Sequence, residues 1–227
     1  MNYLELVQDL FAETDMAGTA PTTLAGATGR TADLIRWVRD AWNEISGMKD
    51  EWLFKQTQFS FSTASLASDY DPAAAPLSLA DFADWVPNTF RYYLTASGIR
   101  GEVPLAWMDY RAFRDYYLLG SRELDVGPPV AVTSAPNKHL LIGSPPDADY
   151  TIRGMYYASA PELTAETDVP GIPARLQKII VYRALQAYGI SEAAPEALAK
   201  GERGEARLIL QLTRNQVATP QLAGPLA

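Results

Sequence analysis

Val130-Ala131-Val132 and Leu140-Leu141-Ile142 bracket a turn, Ala135-Pro136-Asn137-Lys138; Ser144-Pro145-Pro146-Asp147-Ala148-Asp149 then leads into Tyr150-Thr151-Ile152-Arg153-Gly154-Met155-Tyr156-Tyr157. Two short apolar runs around turn residues predict a hairpin, and the alternating run from Tyr150 predicts a further strand. Pro161-Glu162-Leu163 and the elbow Thr167-Asp168-Val169-Pro170-Gly171-Ile172-Pro173 come next. Leu176, Ile179, Ile180, Val181, Ala184, Leu185 and Tyr188 then cover more than half of a helix circumference, predicting a buried helix with Pro173 in its first turn and Gly189 as its C-cap. A β region hands over to a helical one here, and that decides the fold class.

Upstream, Leu4, Val7, Leu10 and Phe11 share one helical face, with Glu5, Gln8 and Asp9 opposite, over residues 3–13. Residues 16–29 are small, glycine-rich and almost uncharged, a long loop with no Gly-Lys-Ser/Thr to make it a phosphate loop. With Thr31 as N-cap, Leu34, Ile35, Val38, Ala41, Trp42 and Ile45 stripe a second helix to Gly47. Thr57 to Thr63 alternates as a half-buried strand. Residues 89–95 read as another, with Phe90, Tyr92 and Leu94 on one face, and Asp109 caps a short helix that sets Tyr110, Phe113 and Tyr117 on one side. The strands together predict one small antiparallel sheet with an aromatic core.

Past Ser191 a last helix spans about 192–216, with Leu198, Leu208, Ile209 and Leu212 inward. Ala194, Ala197, Gly201 and Gly204 make a ridge of small residues that admits a close neighbour; the competing reading is a break at Gly201, since an interior helical glycine costs about 1 kcal/mol against alanine. No charge follows Arg214, and the proline-containing end is either a disordered tail or a peptide that orders on a partner. The expected fold is α+β: a four-helix bundle from the N- and C-terminal helices (1–50 and 160–218), an inserted, aromatic-rich, small antiparallel β domain (51–159), and an extended tail (219–227).

The 227 residues suffice for one large domain or two small ones, and 48% hydrophobic with 20% charged residues is globular composition. Nineteen basic against twenty-seven acidic residues, a net charge of −8, argues against general nucleic-acid binding. With no cysteine there is no disulfide, thiolate metal site or cysteine nucleophile. Met1-Asn2-Tyr3-Leu4-Glu5 lacks a basic n-region and an apolar signal core, and the apolar runs fall far short of the roughly 20 residues that span a bilayer. No membrane association is expected.

The search for chemistry yields little. His139, the single histidine, lies beside a turn with no Gly-x-Ser-x-Gly elbow. The carboxylate groupings, Asp69 with Asp71, Asp147 with Asp149, and Glu162, Glu166 and Asp168, sit in loops as solvated acids. Asp147-Ala148-Asp149 starts like a calcium loop without its glycine or closing glutamate. No catalytic residue, cofactor or metal site is expected. A hydrolase built on loop carboxylates on the aromatic β domain is the remote alternative.

The order of elements resembles the head-to-tail adaptor proteins of tailed bacteriophages, also called head–tail connector or neck proteins. The likeness rests on Leu140-Leu141-Ile142-Gly143-Ser144-Pro145-Pro146, Asp149 to Tyr157, Pro161-Glu162-Leu163, Asp168-Val169-Pro170 and the apolar helix from Ile179 to Gly189. The resemblance implies a structural virion protein, made in the host cytoplasm and placed at the head–tail junction. Such a protein forms a ring, commonly a dodecamer, beneath the portal protein. It extends the channel through which genomic DNA passes without specific binding, an acidic lumen favouring that passage, and offers tail or nozzle proteins an attachment surface. It also implies portal docking by the C-terminal segment, with Val217, Pro220, Leu222 and Leu226 as candidates. A tail-side completion or tail-tube component of the same virion is the alternative.

Overall fold

The computed structural model describes residues 1–120, 122 and 125–217. The chain is a mixed α+β protein that divides into two compact units, Met1–Phe54 with the described residues from Ala160 onward, and Lys55–Ser159.

The helical unit begins with α1 (Tyr3–Glu13), started by a capping box: Asn2 Oδ1 accepts from the Glu5 N–H and Glu5 Oε2 accepts from the Asn2 N–H, each at 2.8 Å. It buries Tyr3, Leu6, Val7 and Leu10, while Leu4 and Phe11, expected inside, are only half-buried. The Tyr3 hydroxyl, donating to the Ile35 carbonyl at 2.7 Å, fixes this rotation of the helix. The second helix, α2 (Arg30–Gly47), starts one residue earlier than expected; Gly29, at φ 58°, is its N-cap and Thr31 makes no cap bond. Its buried stripe is Leu34, Val38, Ala41, Trp42 and Ile45, with Ile35 half-buried.

Pro173 caps a 3-10 turn (Ala174–Leu176), so the expected buried helix starts only at Lys178 and runs as α4 (Lys178–Ser191). It passes through Gly189, which is therefore no C-cap; Glu192 takes that place. After a turn with Ala193 at φ 50°, α5 (Pro195–Gln216) opens on proline and runs unbroken through Gly201 and Gly204. One apolar core joins α1, α2, α4 and α5, and α4 packs against each of the other three. That explains its apolar circumference: a helix with neighbours on several sides has no solvent face to make polar.

In the β unit, β1 (Gln56–Ser62), β4 (Arg91–Leu94), β5 (Val103–Pro104) and β9 (Tyr150–Ala158) form one sheet in the order β1-β9-β4-β5, with β3 (Phe82–Trp85) also on β9. A second sheet has the order β2-β8-β7-β6, from β2 (Asp69–Tyr70), β6 (Ala106–Trp107), β7 (Ala131–Ser134) and β8 (Leu140–Gly143). The single antiparallel sheet is thus corrected to two, and the second contains a parallel pair, Ala106↔Ala131 and Trp107↔Val132. The reason lies in β8, whose four residues are all buried. Leu140 and Ile142 join the aromatic core of Phe59, Phe61, Trp85 and Phe90, whereas Leu141 joins a smaller core with Phe113 and Ala131. β8 therefore lies between two cores, one on each of its faces. Asp109 caps α3 (Tyr110–Phe113), accepting from the Arg111 N–H at 2.9 Å, and a π-helical turn (Arg114–Leu118) continues it. Of the expected 89–95 strand, Phe90 is buried ahead of β4 and Leu94 ends it exposed.

Candidate functional site

The C-terminal end of α5 is the place singled out by the sequence. Val217 is its C-cap, in extended conformation, with its N–H bonded to the Thr213 carbonyl at 3.1 Å and its side chain against the helical core. Pro220, Leu222 and Leu226 lie outside the described residues.

The loop carboxylates do not gather; most are exposed to solvent, as expected, and several also accept hydrogen bonds. Asp69 Oδ1 is 2.8 Å from His139 Nδ1, so the turn histidine is tied to β2. Asp71 accepts from the Ala73 N–H at 2.9 Å. Asp147 accepts from the Tyr150 hydroxyl at 2.7 Å; burial, reinforced by this carboxylate, pushes that phenol up to about 12. In the helical unit, Asp168 Oδ2 accepts from the N–H groups of Thr164 and Ala165, which hold its carboxyl below the ordinary value. Glu166 reaches the 16–29 loop, accepting from the Thr23 hydroxyl and the Leu24 N–H, and its pKa falls for that reason. Among the described residues no group of three or more His, Asp or Glu is placed to hold a metal ion.

The densest polar arrangement is on the α4–α5 seam. A Cβ at Gly189 would stand 2.7 Å from the Leu198 nitrogen, one at Gly201 2.7 Å from the Tyr182 carbonyl oxygen, and one at Gly204 on the Tyr182 ring. The bare backbones thus bring the helices together. Beside them Glu205 is buried, accepting from Arg183 Nη1 at 3.3 Å and from Gln186, while Arg183 Nε donates to Glu44 at 2.6 Å. Sequence reading missed Glu205, although its place one residue after Gly204 and three before inward Leu208 marks it as seam-facing. On the outer face of α5, Arg203, Arg207 and Arg214 are exposed around Leu210, which is 62% exposed. This stripe also escaped notice, though its spacing is helical.

The surface also has a tyrosine-floored groove beside Lys200 and Arg203, and an open groove on the sheet where Glu102 bridges Arg91 (2.8 Å) and Arg153 (3.3 Å). Both are open to solvent. No helix among the described residues is long and apolar enough to cross a membrane. No curated protein matches the chain. The family model described as SU10 adaptor protein matches residues 1–225, running through both compact units. A likeness of that extent makes this chain a member of the SU10 adaptor protein family, a family of structural phage adaptors.

Proposed function

We propose that this protein is a head-to-tail adaptor: a structural ring that docks under the portal protein, extends the DNA channel and carries the tail or nozzle proteins. The observation that carries the reading is the family match from residue 1 to 225, which leaves neither unit for a separate role. Family membership implies a virion component that meets head and tail parts. The segment with Val217, Pro220, Leu222 and Leu226 grips the portal. The net charge of −8 lets DNA pass without adhering, since phosphates gain nothing from an acidic lumen. The protein performs no catalysis and holds no cofactor.

Native mass of the chain, alone and with the portal protein from the same genome, tests this. The expected result is a large complex with one adaptor per portal subunit, lost when residues 217–227 are deleted while the circular dichroism spectrum is retained. A chain that ignores the portal refutes the docking; binding unaffected by the deletion refutes the role of the tail.

A further inference from the structure

In the helical unit Arg30 pairs with Glu192, Arg36 with Asp33, Arg39 with Asp40, Arg183 with Glu44 and Glu205, and Lys178 and Lys200 with Glu13. Arg203, Arg207 and Arg214 are different. Among the described residues no carboxylate lies within 4.0 Å of any of them, nor of Arg175, which shares a shallow groove with Arg214. At 3.6 residues per turn, Arg203, Arg207, Leu210 and Arg214 fall within an arc of about 60°, and the outer two arginines are about 16 Å apart along the axis. In a chain of net charge −8, this is a cationic stripe with an apolar centre, left unneutralised although carboxylates are in excess.

Its complement is on the same unit. The turn after α2 exposes Asp50 and Glu51, which also have no cation within ion-pair distance among the described residues. Two large apolar side chains flank the acids, Met48 at 42% exposure and Leu53 at 38%. Acids around apolar side chains match arginines around Leu210 in charge and in composition. The apolar element in each patch favours a protein partner over a phosphate backbone, which offers no apolar surface to Leu210.

We propose that the Arg203–Arg207–Leu210–Arg214 stripe of one copy docks on the Met48–Asp50–Glu51–Leu53 turn of a second copy. The two patches are different surfaces of one chain, so the contact is heterologous, head to tail, the kind that closes into a ring when its rotation permits. This rests on the ring reading above and names the residues through which neighbouring copies meet.

The test uses two full-length variants, R203E/R207E/R214E and D50K/E51K, whose folding is checked by circular dichroism. Assembly is followed by sedimentation across a concentration series, with and without the portal protein, at low and high salt. Each variant alone sets like charges against each other and self-associates at least about a hundredfold more weakly than wild type. The equimolar mixture restores assembly, because the reversed, acidic stripe of one variant then meets the reversed, basic turn of the other, and native stripe meets native turn. Wild-type assembly weakens as salt rises. Wild type that never assembles, even on the portal, overturns the ring reading together with this contact. Wild type that assembles while both variants assemble equally well overturns this contact alone. Loss only in the arginine variant, without rescue by mixing, assigns the stripe to another acidic partner and overturns the second-copy assignment.

Discussion

Gly189→Ala isolates the reason for glycine on the α4–α5 seam. By helix propensity alone the change stabilises, by about 1 kcal/mol. The added methyl, however, would stand 2.7 Å from the Leu198 nitrogen and 2.9 Å from its Cα, where contacts of roughly 3.5–4.0 Å are the rule. The struck atoms are backbone, so no side-chain rotation relieves them; α5 must move away by most of an ångström. That motion also loosens the approach of Gly201 to the Tyr182 carbonyl and of Gly204 to the Tyr182 ring. Overpacking costs about 1–3 kcal/mol, with the upper end appropriate to a rigid obstacle, leaving a net loss of about 2 kcal/mol. In a protein of this size that lowers the melting temperature by roughly 4–8 °C. Urea unfolding followed by far-UV circular dichroism should give a lower midpoint at unchanged slope. Gly47→Ala, at a helical glycine whose Cβ would meet nothing within 4 Å, is the control and should be neutral or stabilising by up to about 1 kcal/mol. A Gly189→Ala protein as stable as wild type, or an equal loss in both variants, would refute the close-approach argument.

Two further outcomes concern charge in the helical unit. Burial raises the Glu13 pKa but the ammonium groups of Lys178 (2.8 Å) and Lys200 (2.6 Å) outweigh it, so the folded value lies below the ordinary 4.5. The folded chain then binds fewer protons than the unfolded chain, and the stability from this group is full above pH 4.5 and lost as pH falls through the depressed value. Glu13→Gln should therefore be less stable than wild type at neutral pH and converge with it on acidification; a pH-independent gap in urea midpoints contradicts this. Arg183→Met strands the buried Glu205 carboxylate with only Gln186 and should cost about 2–4 kcal/mol, much of it recovered in Arg183→Met/Glu205→Leu. No recovery in the double variant would show that the seam depends on the ion pair itself.

The sequence by itself determined the local elements. Residues 3–13 as α1, the α2 stripe of Leu34, Val38, Ala41, Trp42 and Ile45, the Asp109 cap and the β1 alternation all follow from periodicity and capping, which the chain encodes within a few residues. Of the candidate docking residues, Val217 was legible as the place where the last helix ends; Pro220, Leu222 and Leu226 fall beyond the described residues. The tertiary structure decided what depends on distant partners. Leu6 faces the core in place of Leu4 because the Tyr3 hydroxyl reaches Ile35, 32 residues away. Gly189 lies inside a helix because Leu198 of the next helix crosses it. The hairpin and the Tyr150 strand went to different sheets because β8 has a core on each face. An apolar run does not encode which neighbour covers it, since hydrophobic burial is non-directional and only packing chooses the partner.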